Sequence, residues 1–144
     1  MSAASEGKIV VGVDGSEPSK AAMKWALRQA RLTGGRLSAV ISWDASPIYG
    51  WEAAPSRKDL NTNSAHVLGE VIAEVTGGSE DITIEREIAN GHPAKALLNS
   101  AQGAEALVLG NRGRGGFSKA LLGSVTAYIT HHATCPVVVV RPED

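Results

Sequence analysis

Residues 109–124 read LGNRGRGGFSKALLGS and hold five glycines and three basic residues between an apolar run and a helix-like pattern. Ordering a glycine costs more backbone entropy than ordering any other residue, so a compensating gain is expected here. Glycine also permits positive φ angles and lets backbone N–H groups approach a ligand closely. The stretch therefore predicts a phosphate-binding loop, although a loop that merely needs tight turns is the simpler alternative.

Hydroxyl, amide and cationic groups accompany these glycines. Ser124 offers a hydroxyl and could also cap the following helix, whose positive end would then face an anion. Val125 and Thr126 add first-turn N–H groups, and Thr126 adds a second hydroxyl. The side chains that could balance phosphate charge are Arg112, Arg114 and Lys119.

Two common nucleotide motifs are absent from this stretch. The P-loop pattern GxxxxGK[ST] fails because Ser124 follows Gly123 with no lysine between them. The dinucleotide pattern GxGxxG starting at Gly113 fails because Ser118 occupies the position of its third glycine.

The elements that must position the loop alternate along the chain. Short β-branched or apolar runs predict strands, and 3.6-residue periodicity between glycine or proline signals predicts helices. Residues 44–62 predict a long loop, either functional, with Tyr49 and Trp51 as ligand contacts, or a variable insertion. The predicted strands are 8–13, 37–43, 82–88, 106–109 and 136–141, and the helices begin near Ser16, Ser64, His92 and Ser124.

This β-α-β-loop-α-β-α-β-α-β order predicts an α/β fold with one open parallel sheet and helices on its faces. In such sheets a ligand lies beyond the carboxyl ends of the strands, where the strand order reverses. Asp14 follows the first strand, and Gly110 follows the fourth. Asp14 could equally serve a local turn in Asp14-Gly15.

Composition limits the class of protein. The 144 residues suffice for one domain, residues 1–144, and the net charge of −1 predicts no nucleic-acid or membrane partner. Cys135 is the only cysteine, so a disulfide framework within the chain is excluded; we interpret Cys135 as core filler. With no signal-peptide pattern at the N-terminus and no long apolar run, we expect a cytoplasmic protein.

The histidines do not predict a metal or catalytic site. His131 and His132 are adjacent on a predicted helix and point about 100° apart, so they do not easily share one ion. They fall in the last turn, which favours cationic groups. His66 and His92 are isolated, and we expect them at surface or cap positions.

The spacing Gly110-x2-Gly113-x9-Gly123-Ser124 resembles the G-2x-G-9x-G(S/T) pattern of ATP-binding universal stress proteins. VVGVDGSEPSKAAMKWA, GHPAKALLNSA and GSVTAYITHHATCPVVVV resemble three further segments of that family, in the family's order. The resemblance implies a Rossmann-like, adenine nucleotide alpha hydrolase-like fold with strand order 3-2-1-4-5, which puts the reversal between strands one and four.

The resemblance also implies a nucleotide site. Asp14 would face the ribose or a metal–phosphate edge, and Mg²⁺ or Mn²⁺ would bridge phosphates of ATP. Backbone groups near Ile41 and Ser42 would meet the adenine, although the family often has a histidine at the position of Ile41. The implied nucleotide-binding residues are Gly12, Val13, Asp14, Ile41, Ser42, Gly110, Arg112, Gly113, Arg114, Gly123, Ser124, Val125 and Thr126.

The predicted function is that of a nucleotide-dependent regulatory or stress-response module. No convincing general base, metal cluster or nucleophile–base pair is evident, so no catalytic residue is assigned. A slow ATPase or autophosphorylating enzyme, with Ser124 as one possible acceptor, is an alternative, as is a binder of cyclic AMP or AMP. The apolar terminal strand, Val137–Val140, would be an edge, and the resemblance implies a homodimer joined through it.

Overall fold

Five strands and four helices alternate along the chain in the computed structural model, which describes residues 7–43, 57–113 and 122–142. The strands are β1 (Lys8–Gly12), β2 (Arg36–Trp43), β3 (Ile84–Asn90), β4 (Ala106–Gly110) and β5 (Val137–Val140). The helices are α1 (Glu17–Thr33), α2 (Arg57–Thr76), α3 (Pro93–Ser100) and α4 (Ser124–His132).

All strand pairs are parallel, and the sheet has the order β3-β2-β1-β4-β5. The predicted fold class is therefore confirmed. The order runs outward in one direction from β1 to β3 and in the other from β4 to β5. The sheet consequently opens between the carboxyl ends of β1 and β4, where ligands bind in folds of this kind.

Two apolar layers cover the sheet, because successive strand side chains point to opposite faces. Ile9 and Val11 of β1 pack under α1 and α2, while Val10 packs under α3 and α4. The first layer also contains Met23, Leu27, Leu68 and Val71, and the second contains Leu97, Leu107 and Ile129.

Local signals fix the ends of α1. The Ser16 side chain accepts a hydrogen bond from the Ser19 N–H, and Pro18 lies in the first turn, as predicted. Gly34 ends the helix with φ = 72°, a conformation that glycine adopts without the steric penalty of a side chain. Both ends of α1 are therefore specified by the sequence next to them.

The prediction of a loop over 44–62 is wrong for its last six residues, since α2 already begins at Arg57. Residues 58, 59 and 61–63 are exposed, so these turns carry no apolar stripe that could have revealed them. A long-range contact ties this end of α2 down: the Trp43 indole N–H donates to Asn61 Oδ1 at 2.7 Å. Tyr49 and Trp51 lie outside the described residues.

Three ion pairs connect the α1–β2 unit to its neighbours on one side. Lys20 reaches Glu74 of α2 at 3.4 Å. Arg31 holds the Asp81 carboxylate with two hydrogen bonds of 2.8 and 2.9 Å, and Arg36 pairs with Glu85 of β3. These pairs are solvent-accessible, so each contributes little to stability by itself.

The described ranges contain no helix that is both long enough and apolar enough to cross a membrane.

The end of β4 and the start of α1 approach so closely that a side chain has no room between them. A Cβ atom on Gly110 would lie 2.6–2.8 Å from the carbonyl carbon, Cβ and oxygen of Pro18. Backbone atoms cannot rotate away as a flexible side chain can. Glycine at position 110 therefore sets how closely α1 packs on β4.

We expect Gly110→Ala to lower the free energy of unfolding by about 1–3 kcal/mol through overpacking. Gly69→Ala is the matched control, because its added Cβ would meet only Arg86 Nη1 at 3.7 Å on a helix. Alanine there should stabilise the chain by roughly 0.5–1 kcal/mol. Urea unfolding of both variants measures the difference, and equal shifts would contradict the close-packing account.

Acid stability should depend on Asp81. The hydrogen bonds from Arg31, followed by that from Ser79, lower the pKa of this carboxyl from 3.8 to about 2. A lowered folded-state pKa means that the pair stabilises the fold above pH 3.8 and that this contribution is lost as the pH falls through about 2. Asp81→Asn should flatten that part of the stability–pH curve, measured by thermal unfolding. A curve parallel to that of the original chain would contradict it.

Candidate functional site

A cleft of about 490 Å³ opens at the carboxyl ends of β1 and β4, where the strand order reverses. Its walls come from the β1–α1 turn, the ends of β2 and β4, the start of α3 and the start of α4. The lining residues are Gly12, Val13, Asp14, Ser19, Val40, Ser42, Pro93, Leu97, Leu109, Gly110, Arg112, Gly113, Leu122, Gly123, Ser124, Val125 and Thr126.

Eleven of the thirteen residues predicted to bind nucleotide line this one cleft, although they come from four separate segments. The other two are Ile41, which does not line it, and Arg114, which lies outside the described residues together with Lys119. The fold thus brings the β1, β2, β4 and α4 segments of the predicted site together.

The Ile41 side chain points away from the cleft. It is 6% exposed and packs in the layer under α1 and α2. Its neighbours Val40 and Ser42 face the other side of the sheet, as the two-residue alternation of a strand requires, and both line the cleft. The Ser42 hydroxyl donates to the Gly91 carbonyl at 2.7 Å, which fixes its orientation.

A local network holds the Asp14 carboxylate. Asp14 Oδ1 accepts hydrogen bonds from the Ser16 N–H, at 2.9 Å, and from the Ser16 hydroxyl. The Asp14 N–H donates to the buried Ser19 hydroxyl at 3.3 Å. With Oδ1 engaged on the α1 side, Oδ2 lies against Gly113 on the opposite wall.

The motif glycines are needed for close approach and not for backbone conformation. Positive φ was an expectation of the sequence, but none of Gly110, Gly113 and Gly123 has a positive φ angle. A Cβ on Gly113 would lie 2.7 Å from Asp14 Oδ2, and one on Gly123 would lie 3.3 Å from the Arg112 Cα. Each glycine therefore lets two chain segments of the cleft approach each other.

The start of α4 differs from the expectation that Ser124 caps it. Gly123 is the N-cap residue, with φ = −71° and ψ = 164°, and it provides no side-chain cap; Ser124 is the first helical residue and is exposed. The difference arises because the Gly123 N–H donates to the Asn111 carbonyl at 2.7 Å, which fixes the chain one residue earlier. A helix start without a side-chain cap leaves its first N–H groups available to an anion.

The Thr126 side chain forms a hydrogen bond inside the fold. Its buried hydroxyl donates to the Gly110 carbonyl at 2.9 Å, so its proton is already used in joining α4 to the end of β4. A phosphate oxygen accepts hydrogen bonds and needs donors. Of the two hydroxyls expected to meet phosphate, Ser124 is therefore the better placed.

Sequence reasoning missed an apolar wall of the cleft. Val40 of β2 and Leu109 of β4 lie on the face covered by α3 and α4, and Pro93 and Leu97 come from α3 itself. Strand alternation could have identified Val40 and Leu109 once the cleft was placed. No sequence pattern indicated that Leu122, which is 39% exposed, or Ser19 on the opposite side would line the cleft.

The cleft is chemically sparse. Among the described lining residues, Asp14 is the only acidic and Arg112 the only basic side chain. Within 7–43, 57–113 and 122–142 there is no group of three or more His, Cys, Asp or Glu side chains that could hold a metal ion. This arrangement can bind and orient an anion next to an apolar surface.

The remaining candidate residues lie outside the cleft. The Ala94 N–H donates to His92 Nδ1 at 3.2 Å at the start of α3, and exposed His66 contacts Glu70 at 2.6 Å, so the cap and surface predictions are confirmed. His131 and His132 occupy the last turn of α4 as expected. Cys135 is half-buried against the layer under α3 and α4, and burial raises the pKa of its thiol.

Known proteins resemble this chain in sequence. A universal stress protein of Mycolicibacterium smegmatis is 33% identical over 154 aligned positions, which cover 100% of this chain and 51% of that protein. The chain thus spans about half the length of this curated relative.

Solved structures resemble it in fold. A universal stress protein in complex with cAMP is 25% identical, with a TM-score of 0.72 and coverage of 94% of this chain and 97% of that chain. The universal stress protein UspA from Lactobacillus plantarum is 24% identical, with a TM-score of 0.67 and coverage of 93% and 97%. Because the model of the universal stress protein family matches residues 7–141, this chain belongs to that family.

Proposed function

We propose that the chain binds an adenine nucleotide, ATP in particular, in the cleft between β1 and β4 and acts as a nucleotide-dependent regulatory module in a stress response. One observation carries the proposal: the fold places the Asp14 carboxylate against Gly113, beside the uncapped start of α4 and an apolar wall. A nucleotide combines the three matching groups, which are ribose hydroxyls, phosphates and a flat base whose faces can lie against apolar side chains.

Each part of the nucleotide has a partner of suitable chemistry. Asp14 Oδ2 would accept hydrogen bonds from ribose hydroxyls, because a carboxylate has only acceptor atoms. The first N–H groups of α4, the Ser124 hydroxyl and Arg112 would hold phosphates. Val40, Leu97 and Leu109 would contact the base. The volume of about 490 Å³ lies in the range of small-molecule sites.

A magnesium or manganese ion fits this site only in a limited way. Mg²⁺ usually binds one or two carboxylates together with substrate phosphates and water. Asp14 is the one carboxylate among the described lining residues, so the nucleotide would supply most of the ligands. The bound ion would neutralise phosphate charge.

Binding, and not turnover, is the activity that the described residues favour. A general base for Ser124 would be a histidine, a lysine or a carboxylate. Among the described lining residues there is no histidine or lysine, and Asp14 is the only carboxylate. The relative solved with cAMP supports the adenine nucleotide class, and the ligand in that structure carries one phosphate. The preference for ATP over cyclic AMP or AMP is part of the proposal, as is a cytoplasmic location. Both rest on the sequence.

Gly113→Val should lower the affinity for adenine nucleotides by roughly tenfold or more, equivalent to about 1.4 kcal/mol. The valine side chain would displace the Asp14 carboxylate, since a Cβ alone would lie 2.7 Å from Oδ2. Calorimetry with ATP, ADP, AMP and cyclic AMP measures the change and ranks the ligands. Gly69→Ala, on the outer helix α2, is the control and should bind normally. Unchanged affinity of the Gly113 variant would sink the proposed site.

The proposal includes a homodimer joined along β5. Among the described strands β5 pairs with β4 alone, and its four valines are all partly exposed. The Pro136 carbonyl accepts a hydrogen bond from the Leu107 N–H of β4, and the Val140 carbonyl accepts one from the Asn111 N–H directly after β4. By the alternation of a strand, Val137 and Val139 therefore direct their N–H and C=O groups to the open edge, where a second strand can pair.

Val139→Pro should convert the dimer to a monomer, because proline removes an N–H from the open edge and leaves the β4 pairing intact. Val139→Thr keeps the N–H and should remain dimeric. Analytical ultracentrifugation at micromolar concentration measures the states. A monomeric original chain, or a dimeric proline variant, would defeat this part of the proposal.

A further inference from the structure

A second concave surface lies on the outer flank of α1, and no residue lines both this surface and the cleft. This surface, the α1–β5 groove, has a volume of about 470 Å³ and runs between α1 and the segment that leaves β5. Apolar side chains contribute part of its lining: Ala21, Trp25, Val140 and Pro142.

The groove is strongly cationic although the whole chain has a net charge of −1. Four basic residues and one acidic residue line it. Lys20 is engaged with Glu17 and Glu74 at 3.6 and 3.4 Å. Lys24, Arg28 and Arg141 are exposed and form no ion pair with any residue in the described ranges.

The spacing of these cations matches an extended polypeptide. Lys20, Lys24 and Arg28 are each four residues apart on one face of α1, which separates them by about 6 Å per step. Residues on one face of an extended segment repeat every two positions, or about 6.6 Å. Acidic residues at alternate positions would therefore meet successive cations, while the residues between them could be apolar and contact Trp25.

We propose that the α1–β5 groove binds a short, extended acidic segment of a partner protein. The complementary charge supplies orientation and attraction, and the partly buried indole supplies apolar contact area. A nucleic-acid strand fits less well, because a long polyanion would extend beyond the groove over a chain without net positive charge.

The test uses a fluorescein-labelled ten-residue peptide in which glutamate alternates with leucine, and anisotropy as the readout. Lys24→Glu/Arg28→Glu removes the cations from the groove. The matched control, Arg86→Glu/Lys95→Glu, makes the same change in net charge at exposed positions on β3 and α3. Circular dichroism and nucleotide calorimetry on each variant check the fold and the cleft separately.

We expect the original chain to bind the peptide with an affinity that falls as salt rises, and the groove variant to bind at least roughly tenfold more weakly. The control variant should bind normally. Val139→Pro should also bind normally although we expect it to be monomeric, because Val139 does not line the groove. Nucleotide affinity should be the same in all of them, so failure here is distinguishable from failure of the nucleotide proposal.

Several results would overturn the proposal. These are no peptide binding at millimolar concentration, equal loss in the groove and control variants, or loss in Val139→Pro alone, which would locate the peptide on the β5 edge. Tighter binding of a ten-nucleotide single strand than of the peptide, with the same dependence on Lys24 and Arg28, would assign the groove to nucleic acid instead.

Discussion

The close approach of α1 to the end of β4 is the constraint on which the site depends. The reversal of strand order makes β1 and β4 neighbours, but the width of the opening between them is set by Gly110 against the backbone of Pro18. Pro18 lies in the same first turn as Ser16 and Ser19, which hold Asp14. One side chain at position 110 would therefore move the whole wall that carries the carboxylate.

This constraint changes the meaning of the glycine motif. Conformational freedom is one reason to place glycine in a loop, and absence of a Cβ is another. Gly110, Gly113 and Gly123 all belong to the second case, because each allows one segment to approach Pro18, Asp14 or Arg112. The spacing of these glycines therefore reflects contacts between segments that are distant in the sequence.

The sequence predicted most strands and helices because these depend on local signals, whereas the sheet order and most of the cleft residues came from the family resemblance. Apolar runs, the Ser16 cap and the His92-Pro93 helix start each act within a few residues, and the family resemblance supplied the strand order. The first turns of α2 could not be predicted, because they carry no apolar stripe. A long-range hydrogen bond from the Trp43 indole to Asn61 holds them instead.

The misplaced details of the site have the same origin. Ser124 has the residue type of a cap, but the hydrogen bond from Gly123 to Asn111 shifts the helix start by one residue. The Ile41 side chain lies on the opposite face of β2, which leaves its backbone groups for the predicted contact, and the Thr126 hydroxyl donates to the Gly110 carbonyl. Residue type and spacing locate a site within one residue, whereas the direction of each side chain follows from tertiary hydrogen bonds.

The two proposed binding surfaces share α1, and this determines how one could influence the other. Gly110 and Pro18 fix the start of the helix, Lys20 ties its flank to Glu74, and Arg31 ties its end to Asp81. A rigid shift of α1 would disturb all three contacts at once, so coupling by helix movement would be energetically unfavourable. Lys20 offers a smaller change: it lines the groove four residues after Ser16, and an acidic segment could draw it away from Glu17 and Glu74. Any such coupling is reciprocal, because linkage requires that a partner which alters nucleotide affinity is itself bound differently when nucleotide is present.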